Sequence, residues 1–72
     1  MPEVGKLYRL LRVRYLNSGP APVGTLGTVV SIVNGMHSCK VTVLLGGQLV
    51  ETYVDPTWPW TDDWAEVSCE AA

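Results

Sequence analysis

The chain is poor in the residues that carry most enzyme chemistry and metal binding. It has one histidine, His37, and two cysteines, Cys39 and Cys69, without CxxC spacing, so a single chain cannot assemble the Cys and His ligands of a closed zinc site. No nucleophile, base and orienting group can be gathered around one histidine that stands in a turn-rich stretch beside Met36. The adjacent carboxylates Asp62 and Asp63 fall in a polar turn and read as a solvated corner or a cap, not as an acid and base pair. These shortages predict a chain that is not an enzyme and uses no metal or cofactor. The cysteines leave two readings open: reduced structural thiols, or a Cys39 to Cys69 bridge from a central strand to the tail.

Long apolar runs are missing too. No segment approaches the roughly 18 to 20 apolar residues that span a bilayer, and no basic region followed by an apolar one marks a signal peptide. The expectation is a cytoplasmic chain with no membrane partner. Charge is sparse at 17% of residues, for a net charge of -2, and its signs are segregated. Lys6, Arg9, Arg12 and Arg14 cluster near the N-terminus, whereas Glu51, Asp55, Asp62, Asp63, Glu66 and Glu70 fill the C-terminal third. Such an arrangement makes a dipole or lets the two ends pair, and nucleic acid is not the automatic partner.

What is present is enough apolar material for one small domain. The 72 residues are 47% hydrophobic, and a chain of this size buries only about 60% of the surface its unfolded form exposes, so the core is thin. The segment VGKLYRLLRVRY (residues 4 to 15) alternates at Leu7, Leu11, Val13 and Tyr15, which favours a strand, although Leu7, Leu10, Leu11 and Arg14 also suit adjacent rows of a short helix. LNSGPAP (residues 16 to 22) reads as an exposed loop. Gly24 and Gly27 allow a tight turn at positive φ before the β-branched run TVVSIV. No complete phosphate-cradling glycine pattern accompanies them.

Asn34-Gly35 signals a type I′ hairpin, and Gly46-Gly47 a second two-residue connection. Between them SCKVTVLL places Cys39, Val41, Val43 and Leu45 on a core face, and QLVETYV (residues 48 to 54) follows as the next strand. Pro56 and Pro59 then forbid a ladder strand, so a 3₁₀ turn precedes a last short strand at WAEVS (residues 64 to 68). The expected fold is all-β, a small five-stranded barrel in one domain over residues 1 to 72, with its core at about 4 to 68 and frayed residues 69 to 72.

This order of features resembles the SH3-like barrels. VGKLYRLLR followed by GTLGTVVSI is similar to the glycine-valine pattern of KOW-type and related bacterial and phage SH3-like domains, VTVLLGGQLVETYV continues the likeness, and DDWAEV resembles their closing strand. In peptide-binding members, the resemblance implies a groove between the long first loop and an aromatic strip, which here pairs NSGPAP with Trp58, Trp60 and Tyr53. The acidic loop cluster and paired ALYDY tyrosines of proline-binding SH3 domains are missing. KOW-like domains occur in RNA-associated proteins, so the resemblance also implies a nucleic-acid alternative on Lys6, Arg9, Arg12 and Arg14. A remoter likeness is to the plasmid-type dihydrofolate reductases, tetramers whose pore carries a Val-Gln-Ile-Tyr strand. Val50-Glu51-Thr52-Tyr53 lacks the Gln and Ile that contact ligand there, and Glu51 would repel anionic groups.

The residues themselves favour binding. Trp64 is expected to plug the barrel, whereas Trp58 and Trp60, on either side of Pro59, are expected to stand exposed. Exposed tryptophan is a hot-spot residue. The leading expectation is therefore a non-catalytic module that binds another protein through Tyr53, Asp55, Trp58, Trp60, Asp62 and Asp63, as an adaptor or as a phage or mobile-element inhibitor of a host protein. Self-association stays open, because an open barrel exposes edge strands.

Overall fold

The computed structural model describes residues 2 to 67. It is a small all-β domain of seven strands: β1 (Leu7–Leu10), β2 (Arg14–Leu16), β3 (Gly19–Ala21), β4 (Leu26–Asn34), β5 (Cys39–Leu45), β6 (Gln48–Val54) and β7 (Trp64–Glu66). A 3₁₀ turn over Trp60–Asp62 precedes β7. Five strands form one antiparallel sheet in the order β6-β5-β4-β1-β7, and β2 pairs with β3 as a separate hairpin. The five-stranded sheet is open: no ladder joins β6 to β7 among the described residues. No helix among those residues is long and apolar enough to cross a membrane.

Turn chemistry explains much of the meander. Gly46 and Gly47, at φ 58° and 80°, form the two-residue connection that pairs Leu45 with Gln48. The Asn34-Gly35 expectation fails, since neither residue has positive φ. The ladder instead closes at Asn34 opposite Cys39, and residues 35 to 38 form a four-residue loop fastened by Gly35 N–H to Ser38 O at 2.8 Å. Gly24 turns at φ 93°, but Gly27 is extended and buried within β4. A Cβ at position 27 would lie 2.6 Å from Val43 Cγ1 and 3.3 Å from the Trp64 ring, so this glycine serves packing and not a turn.

β4 slips register between Val29 and Ser31. The extra residue bends the longest strand; Val29 is wholly buried before the bulge, and Ile32 packs on the core after it. Val41, Val43 and Leu45 of β5 are also wholly buried, on the face the alternation assigned, while Cys39 at the strand end is only partly covered. The Cys39 thiol donates to Asn34 Oδ1 at 3.1 Å, and Cys69 lies outside the described residues.

The first strand departs from its expected phase and length. Tyr8 and Leu10 face the core, whereas Leu11, Val13 and Tyr15 are exposed. Tyr8 satisfies its hydroxyl at the Glu3 N–H, 2.9 Å away, so a polar tip does not prevent burial. The chain leaves the sheet after Leu10, and the bond from Leu11 N–H to Asp63 O, at 2.7 Å and in register with the Leu10–Trp64 pair, closes the end of the β1–β7 ladder. Residues 14 to 21, expected as the end of a strand and a loop, instead form the β2–β3 hairpin.

Tryptophan burial also differs from the sequence expectation. Trp60 is only 5% exposed and Trp64 2%. Their rings stack at 4.9 Å and 7°, and Tyr8 meets Trp60 edge-on at 5.1 Å and 85°. The expected exposed pair at 58 and 60 is thus corrected: a 3₁₀ turn starting at Trp60 aims that ring inward, and the opposite direction is left to Trp58, which is 48% exposed.

Candidate functional site

The segment between β6 and β7 is held by a self-contained turn. The Asp55 carboxylate accepts from Thr57 N–H at 2.8 Å, from Trp58 N–H at 2.9 Å and from the Thr57 hydroxyl, all on Oδ1. Backbone bonds between Asp55 and Trp58 close the same loop. The Thr57 hydroxyl, then the Thr57 and Trp58 N–H groups, hold the Asp55 carboxyl below its ordinary pKa. An Asx turn of this kind fixes where the next residue emerges.

That residue is Trp58. Its indole Nε1–H donates to Asp63 Oδ2 at 2.7 Å, and the Arg12 guanidinium lies 5.3 Å from the ring centroid. Arg12 Nε is also 3.4 Å from Asp63 Oδ1, a buried oxygen with no hydrogen bond among the described residues. Asp63 therefore orients a cation and an aromatic at once, and the Leu11 to Asp63 backbone bond keeps the two chain segments together. The result is an aromatic ring that is half exposed yet fixed on one side. A recess of about 170 Å³ beside it is lined by Leu10, Arg12, Val13, Arg14, Trp58 and Asp63.

The other expected site residues do not all join this group. Tyr53 is 59% exposed, but it stands opposite Lys40 in the β5–β6 ladder, on the outer face of the sheet. Asp62 is exposed on the 3₁₀ turn. Trp60 is core, and its buried indole N–H has no acceptor among the described residues. Trp60 also walls a larger recess of about 450 Å³ between the 35 to 38 loop and residues 54 to 61. No sequence pattern marks this recess, since Pro56 and Pro59 read as strand breakers and Met36 and His37 as turn residues.

The four N-terminal cations are dispersed. Lys6 contacts Glu3 at 3.2 Å and Glu66 at 3.4 Å, partners that raise its pKa. Arg12 belongs to the Asp63 group. Arg14 donates to Thr52 Oγ1 at 3.2 Å and to Glu51 O at 2.9 Å, which ties the β2–β3 hairpin to the edge strand β6. Arg9 faces outward on β1. Arg12 and Arg14 do not share a strand, since β1 ends at Leu10 and Arg14 opens β2. No group of three His, Cys, Asp or Glu suited to a metal ion occurs among the described residues.

Comparison of the chain with protein-family models, with curated proteins and with solved structures finds no match in any of the three.

Proposed function

We propose that the chain is a small non-catalytic binding module that engages another protein through the surface around Trp58. One observation carries the reading: Trp58 stays 48% exposed although Asp63 and Arg12 hold its ring in place. An exposed tryptophan that is already ordered has less side-chain freedom to lose on binding, and tryptophan and arginine are the residues enriched at interface hot spots. Asp55 and Asp62 lend the neighbourhood negative charge, which suits a basic partner and speeds encounter at low salt.

The SH3-like placement belongs to the same proposal. It is supported by the long excursion between the first sheet strand and β4, the β4-β5-β6 meander, and the 3₁₀ turn before the closing strand. So does the role of adaptor or of a phage or mobile-element inhibitor, which fits a domain of this size whose charged surface is acidic toward its C-terminal end. The nucleic-acid alternative has less support, because Lys6 and Arg12 have acidic partners and Arg14 spends its guanidinium on β6.

The test is capture from the lysate of the source cells with the wild-type chain and with Trp58→Ala, followed by calorimetry on the captured protein. The variant is expected to keep its fold by circular dichroism and to lose more than about 2 kcal/mol of binding free energy. A folded variant that binds as tightly as the wild type would remove Trp58 from the interface.

A further inference from the structure

The recess between the 35 to 38 loop and residues 54 to 61 shares Asp55 with the Trp58 group and otherwise stands apart from it. Its apolar walls are Met36, Val54, Pro56, Pro59 and Trp60, and its volume of about 450 Å³ is that of a ligand site. The wall on the 54 to 61 side is preformed. Trp60 is locked between Tyr8 and Trp64, two prolines stiffen one side, and the Asp55 turn closes on itself.

Charge selects the occupant. Among the described residues Asp55 is the one formally charged residue on the lining, which Lys6, Arg9, Arg12, Arg14 and Lys40 do not join. The turn engages only Oδ1 of that carboxylate, and its lowered pKa keeps it ionised at neutral pH. An apolar recess with an acidic residue in its lining is complementary to an apolar group that arrives beside a cation.

We propose that this recess receives one bulky apolar side chain of the protein partner, presented by a segment with lysine or arginine next to it. The inference rests on the reading of the chain as a protein-binding module and adds a second contact to the Trp58 surface. Aromatic and large aliphatic anchors in such pockets dominate interface energies.

The experiment is an amide NMR titration of the ¹⁵N-labelled chain with three capped tripeptides, Lys-Phe-Lys, Glu-Phe-Glu and Lys-Gly-Lys. Lys-Phe-Lys is expected to shift the amides of residues 35 to 39 and of Val54, Asp55, Trp60 and Thr61 in a saturable way, with much smaller shifts from the other two. Asp55→Asn, which keeps the Oδ1 acceptor of the turn, is expected to weaken Lys-Phe-Lys by about threefold, the size of a partly exposed ion pair. Equal shifts from all three peptides, or an unchanged affinity in Asp55→Asn, would overturn the proposal. So would a recess that responds to toluene and to none of the peptides, which would mark a small-molecule pocket. Shifts confined to Arg12 and the Trp58 indole would also overturn it, while leaving the Trp58 surface standing as the binding site.

Discussion

Neighbouring residues of similar type have opposite roles in this chain, and substitutions separate them. Trp60→Ala removes a ring that touches both Tyr8 and Trp64, and is expected to cost about 3 to 5 kcal/mol, most of the stability of so small a domain. Trp58→Ala loses one hydrogen bond and one exposed cation–π contact, about 1 to 2 kcal/mol. Urea unfolding of both variants checks the contrast; equal losses would contradict the assignment of one ring to the core and the other to the surface. Gly27→Ala gives a third test, because its methyl meets Val43 and Trp64, and an overpacking cost of about 1 to 3 kcal/mol is expected from the same measurement. Asp55 adds a pH dependence. Its folded pKa lies below the unfolded value, so its contribution is present above the unfolded pKa of about 3.9 and is lost as pH falls through the folded one. The wild type should therefore lose stability below about pH 4 more steeply than Asp55→Asn; parallel curves would show that the turn does not favour the ionised carboxylate.

At the scale of elements, the β2–β3 hairpin owes its position to Arg14, which reaches the carbonyl of Glu51 and the hydroxyl of Thr52 on the edge strand β6. Arg14→Met keeps a long apolar stem and removes both hydrogen bonds, so hydrogen exchange in residues 14 to 21 should quicken while β4 and β5 stay protected. Unchanged exchange in the hairpin would show that other contacts hold it. The same element marks what the sequence could not reveal. β5 and β6 were legible because strict alternation and the Gly46-Gly47 turn agree on their register. The phase of β1 was not, since LYRLLR offers apolar residues to either face and only the fold shows that Tyr8 and Leu10 take the core side. The hairpin was hidden as well: Gly19 and Pro20 read as loop residues, although proline is allowed on an edge strand.

For the whole molecule, the candidate site was legible in its residue types and not in its geometry. The cluster of tryptophans and carboxylates pointed to residues 53 to 63, but which ring faces outward depends on where the 3₁₀ turn begins, and the part of Arg12 depends on a contact between segments far apart in sequence. Charge segregation, visible in the sequence, is partly resolved in the fold as pairing of the two ends through Lys6 with Glu66 and Arg12 with Asp63. That pairing leaves an aromatic surface beside acidic groups, and the central claim is that this surface meets a protein. Its most direct test is photo-crosslinking in the source cells with p-benzoylphenylalanine in place of Thr57, next to Trp58, and in a second chain in place of Arg9. A discrete protein adduct is expected at position 57, resistant to nuclease and lost when Trp58→Ala is added. A nuclease-sensitive adduct at position 9, with none at position 57, would contradict it and move the function to the basic strand.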